Sequence, residues 1–98
     1  MPPLVYSTSS MNELEGFMID GLCDHEKLDR QQVRIQRSVM RKGLAIVGLV
    51  IRIEGPRLMR SQALWVEPEN RILFYNSAGQ RFATVKLAEA PEMGLLAA

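Results

Sequence analysis

The chain has 98 residues, 47% of them hydrophobic and 23% charged, with a formal net charge of +1. That suffices for one domain with a modest core, excludes a disordered or fibrous chain, and weighs against a dedicated, strongly basic nucleic-acid binder. A lone cysteine, an N-terminus without the basic start or apolar run of a signal peptide, and a longest apolar stretch (Gly43 to Ile51) only about half as long as a membrane helix together predict a cytoplasmic protein with no disulfide and no membrane span.

Residues 1–9 contain two prolines and a Ser/Thr cluster and read as a flexible tail. Ser10 to Glu13 then spells a capping box, a hydroxyl followed three residues later by a glutamate that can reach back to the free N–H groups of a helix start. Met11, Leu14, Met18 and Leu22 continue at helical spacing, so a helix is predicted over 11–22, although Gly16 and Gly21 weaken it by roughly 1 kcal/mol each.

Residues 33–43, VRIQRSVMRKG, admit two readings. In a helix, Asp29 would be the N-cap and Arg30, Arg34, Arg37 and Arg41 would form one cationic stripe. In a strand, Arg34 and Arg37 point to opposite faces. The strand that follows, Leu44 to Ile53, is apolar on both parities and would be a hazardous sheet edge, so a strand over about 37–42 that shields it is the preferred reading, with a helical start before it left open.

Three further strands follow, over 58–66, 71–75 and 80–87, separated by Glu54-Gly55-Pro56, by Glu67 to Asn70 and by Asn76 to Gly79. Breakers this short join antiparallel neighbours. The predicted fold is therefore α+β: an N-terminal helix, with a second helix as an option, packed on a four- to five-stranded antiparallel β-meander that could curl towards a small barrel. The domain spans 10–87, with flexible tails at 1–9 and 88–98.

Charge is unevenly distributed. Residues 1–29 carry six acids and one base, residues 30–60 eight bases and one acid. The two segments can neutralise each other by packing, the preferred expectation, or the second can form a basic binding surface. On the second reading the nucleic-acid-binding residues would be Arg30, Arg34, Arg37, Arg41, Lys42 and Arg60.

Asp20, Cys23, Asp24, His25 and Glu26 hold metal-ligand chemistry but no spacing that fits a zinc site, so no metal site is expected. Cys23 and His25 could pair as nucleophile and base, yet no third orienting group accompanies them and no phosphate-loop, dinucleotide or nucleophile-elbow motif is present. Neither catalytic residues nor a cofactor are expected, and the chain is not read as an enzyme. Trp65, Phe74, Tyr75 and Phe82 are assigned to the core, with Trp65 the most exposed of them. Because one helix covers only one sheet face, the expected function is a non-catalytic protein-interaction domain, self-associating as a homodimer or binding a protein partner; nucleic-acid binding through residues 30–60 is the alternative.

Overall fold

The computed structural model describes residues 2–92. One helix, α1 (Met11–Glu26), lies on a six-stranded sheet formed by β1 (Val5–Ser7), β2 (Arg34–Lys42), β3 (Ala45–Glu54), β4 (Arg60–Val66), β5 (Arg71–Tyr75) and β6 (Arg81–Glu89). The sheet order is β1-β6-β5-β4-β3-β2. Strands β2 to β6 form the expected antiparallel meander, and β1 joins its far side parallel to β6. The fold is α+β as predicted; the strand count is six, and the sheet stays open instead of closing into a barrel.

Helix α1 begins as its sequence directs, with a variation. Ser10 Oγ accepts from the Glu13 N–H at 3.2 Å. The Glu13 carboxylate, however, takes the Thr8 hydroxyl (2.7 Å), and Thr8 Oγ1 in turn accepts from the Ser10 N–H (3.1 Å), so the reciprocal half of the capping box runs through Thr8. The helix runs four residues past the predicted end, to a left-handed cap at Lys27 whose N–H bonds back to Asp24 O. Its buried stripe, Leu14, Met18, Ile19, Leu22 and Cys23, meets Leu49, Ile51, Ile53, Ala63, Trp65, Ile72, Phe74, Val85 and Leu87 of the sheet. Gly21 is required by the contact itself: a Cβ there would stand 2.6 Å from the Phe74 ring. The residue that lowers helix propensity is the one that lets the helix settle onto its core.

Three sequence expectations need correction. The N-terminal segment read as a tail contains β1, held by pairing with β6 some eighty positions away and by Tyr6, whose ring stacks on Phe17 at 3.9 Å. At the other end, β6 and the buried Pro91 extend the ordered sheet into the segment read as a tail from 88 on, while residues 93–98 of that segment lie outside the described residues. Trp65, expected to be the most exposed aromatic, is 0% exposed. It faces α1 between Leu49 and Ile72 on the neighbouring strands.

The ambiguous stretch is a strand. Residues Arg30–Gln32 make one 3-10 turn, in which the Asp29 N–H donates to Gln32 Oε1 (2.8 Å), and β2 then runs from 34 to 42. The apparent two-faced apolarity of the 44–53 segment resolves at a bulge. The β2–β3 register shifts between Met40 and Arg41, so the parity of Ile46 and Val47 is not that of the rest of β3. Beyond the bulge Leu49, Ile51 and Ile53 face the helix, and Val50, Arg52 and Glu54 face away.

Candidate binding surfaces

Cross-strand pairing orders the side chains of the uncovered face into rows. The first row is Arg34, Glu54 and Arg60. The second is Gln36, Arg52, Gln62, Tyr75 and Arg81. The third, Ser38, Val50, Leu64, Leu73 and Thr84, is apolar at its centre. The fourth is Met40, Gly48, Val66, Arg71, Lys86 and Val5. These rows hold six cations and a single acid, Glu54. Helix α1, on the opposite face, carries five acids and no lysine or arginine. The two layers thus set an acidic helix behind a sheet face rich in cations.

The six arginines and lysines singled out in the sequence divide accordingly. Arg30 lies beside the helix, its Nε bonded to Asp20 Oδ1 (3.0 Å) and an Nη to Gly16 O (3.2 Å). Arg37 points to the helix face and pairs with Glu15. These two account for the neutralisation expected between the acidic and basic segments, and neither belongs to a common basic surface. Arg34 and Arg60 lie on the uncovered face, and Arg41 and Lys42 at the hairpin end of β2. Among the described residues, Arg34, Arg41 and Lys42 make no ion pair. Arg52, which sequence reasoning left out of the set, joins the uncovered face. Its alternation with Ile51 and Ile53 was the signal that could have placed it there.

At the end of the sheet near the β5–β6 turn the uncovered face hollows into a groove of about 850 Å³, lined by Arg34, Arg52, Arg60, Gln62 and Tyr75 among others. Arg60 Nε donates to Glu54 Oε2 (2.8 Å) and Arg52 Nε to Gln62 Oε1 (3.1 Å). Each guanidinium is fixed through Nε, and its two Nη groups make no hydrogen bond among the described residues. Ser61, which alternates with Arg60 and Gln62 and pairs with Ile53, turns its side chain to the helix face instead, where it is 3% exposed and its hydroxyl has no partner among the described residues. No protein-family model, curated protein or solved structure matches the chain. The surfaces must be read from their chemistry alone.

The second surface is the free side of β2. All nine of its residues are exposed or half-exposed, and among the described residues no strand pairs with its outer edge. The opposite edge strand, β1, is three residues long and follows Pro2 and Pro3, features that discourage strand addition.

The cluster from Asp20 to Glu26 is put to other uses. Asp20 holds Arg30, Glu26 accepts the Ser77 N–H (3.2 Å), and His25 stacks on Phe82 at 3.6 Å. Cys23 is 4% exposed in the core, while His25 is exposed on the surface. Among the described residues no group of three or more His, Cys, Asp or Glu is placed to hold a metal ion, and no helix is long and apolar enough to cross a membrane. Burial, with the Asp20 carboxylate nearby, pushes the Cys23 thiol pKa up. Cys23 is therefore expected to react with iodoacetamide at pH 8 at least about tenfold more slowly than free cysteine, and at the free rate once guanidinium unfolds the chain. Native labelling at the free rate would return it to the list of reactive thiols.

Proposed function

We propose that this is a non-catalytic interaction domain that binds an extended, acidic segment of a partner protein by adding it as a strand along β2. The observation that carries the reading is a nine-residue edge, uncovered among the described residues, that bears Arg34, Arg41 and Lys42, cations without an ion pair there. Strand addition takes its affinity from main-chain hydrogen bonds and its selectivity from side chains at alternate positions. Cations along an edge also oppose pairing with an identical edge. A two-fold antiparallel pairing centred on Ser38 sets Arg34 against Lys42, and one centred on Arg37 or Val39 sets arginine against arginine. This charge pattern ranks an acidic partner above a second copy of the chain, and the single buried, free thiol fits a reducing, cytoplasmic setting.

The test uses a labelled nine-residue peptide alternating valine and glutamate, with a valine–lysine peptide as control. Binding of the first alone, accompanied by slowed amide exchange confined to β2, is the expected result. Reversing Arg41 and Lys42 to glutamate is expected to weaken it about tenfold, since two attractive pairs of up to about 1 kcal/mol become repulsive. Equal binding of both peptides, or β2 amides left unprotected, would overturn the reading. A mass in sedimentation equilibrium that doubles with β2 amides protected would assign the edge to a homodimer instead.

A further inference from the structure

The groove on the uncovered face lies beside the β2 edge and shares Arg34 with it. We propose that it is a binding site for a nucleotide unit of single-stranded nucleic acid, its phosphate held by Arg34, Arg52 and Arg60 and its base stacked on Tyr75. Three observations converge. The three guanidinium groups share one face, against one carboxylate, Glu54. Arg52 and Arg60 are each anchored through Nε, to Gln62 and Glu54, which leaves the paired Nη donors that suit a phosphate. Tyr75 stands on the same face next to Gln62, and among the described residues it stacks on no other ring, whereas Phe74, one position away, is fully buried under the helix.

The volume selects among anions. A space of about 850 Å³ is at the upper end of the range for ligand sites, roughly 300–1,000 Å³, and a bare phosphate would leave most of it empty. A nucleotide with its base on the tyrosine ring occupies more of it. Duplex is disfavoured because its bases are already stacked on one another, and sheet-face aromatics take unpaired bases. The distribution of charge explains how a chain of net charge +1 can attract a polyanion: five of its eleven acids lie on α1, behind the sheet, and the rows of the uncovered face hold only Glu54. This site differs from a grip made of the whole basic segment, because Arg30 and Arg37 face the helix and are spoken for by Asp20 and Glu15.

The experiment follows the anisotropy of a fluorescein-labelled eight-nucleotide oligouridylate with the full chain at 50 and 200 mM sodium chloride. Saturable binding that weakens at least about fivefold between the two salts is expected. The double variant Arg34→Gln/Arg52→Gln should bind at least about tenfold more weakly with a shallower salt slope, by about 0.7 for each phosphate no longer neutralised. Tyr75→Leu should weaken binding roughly fivefold or more with the slope unchanged, since stacking carries no counterion release. The control Arg41→Gln/Lys42→Gln, on the edge and outside the groove, should stay within about twofold of the parent. Uridine monophosphate should compete better than inorganic phosphate. Absence of binding at 50 mM salt would overturn the proposal, and so would a control variant as weak as the groove variant, which would mean diffuse attraction. Phosphate competing as well as the nucleotide, with Tyr75→Leu silent, would reduce the site to one for a bare anion. Displacement of the oligonucleotide by the valine–glutamate peptide, in a manner sensitive to Arg52→Gln, would hand the groove to acidic protein segments.

Discussion

Trp65→Ala is expected to lower stability by about 3–5 kcal/mol, a large share of the ~5–15 kcal/mol that holds a domain of this kind together. Trp65 is 0% exposed on β4, with Leu49 of β3 and Ile72 of β5 beside it and α1 above. Removing the indole therefore opens a cavity in the layer where the helix meets three central strands. The melting temperature should fall by at least ~12 °C, read by far-UV circular dichroism because this is the only tryptophan. The indole Nε1–H has no hydrogen-bond partner among the described residues, so its polarity is a cost and its volume is the asset. Trp65→Phe separates the two: it keeps most of the volume and deletes the unpartnered donor, and its loss should be about 1–2 kcal/mol. If the phenylalanine variant were as unstable as the alanine variant, shape complementarity around the indole ring, and not cavity volume, would govern the site.

The same residue shows where sequence reading stops. Strand and turn text made the meander legible: the breakers at Glu54 to Pro56, Glu67 to Asn70 and Asn76 to Gly79 sit between the observed strands. Position along a strand, however, does not say which ends are covered. Trp65 is second from the end of β4, and it is buried because α1 reaches across the strand ends. β1 was illegible for a related reason. Three residues between Pro3 and a Ser/Thr run have no local signature, and their pairing partner is β6, at the other end of the chain.

The binding surfaces were partly legible. Alternation assigned Arg34 and Arg37 to opposite faces once β2 was taken as a strand, and that reading holds. What alternation could not give was the destination of each face. The acidic helix lies over one of them and absorbs Arg37 and Arg30, which carry the expected neutralisation, while Arg34, Arg52 and Arg60 stand on the uncovered face. Arg52 went unnoticed because it sits inside a run of aliphatic residues, where one polar side chain at the right parity is the only mark of a solvent-facing row.

Gly48→Ala is expected to cost about 3 kcal/mol, at the upper end of what overpacking does. A Cβ at position 48 would lie 2.2 Å from the main-chain oxygen of Trp65 and 3.0 Å from Met40 Sδ. The methionine can swing aside at little cost. The carbonyl cannot, because it belongs to β4, whose ladder with β3 pairs Gly48 with Val66 and Leu49 with Trp65. Relief then requires that β3 and β4 part at the end away from their own connection, next to the bulge at Met40 and Arg41. Combining Gly48→Ala with Met40→Ala decides between the two obstacles. Recovery of more than about half the loss in urea denaturation would show that the thioether was the barrier; little or no recovery would locate it in the backbone. The backbone outcome has a consequence for binding. Met40 is the β2 side chain that lies over Gly48, so a displaced β3–β4 ladder also loosens the hold of the sheet on its edge strand. Gly48→Ala should therefore weaken capture of the valine–glutamate peptide along β2 while leaving Arg52, Gln62 and Tyr75, at the other end of the strands, in place to bind the oligonucleotide.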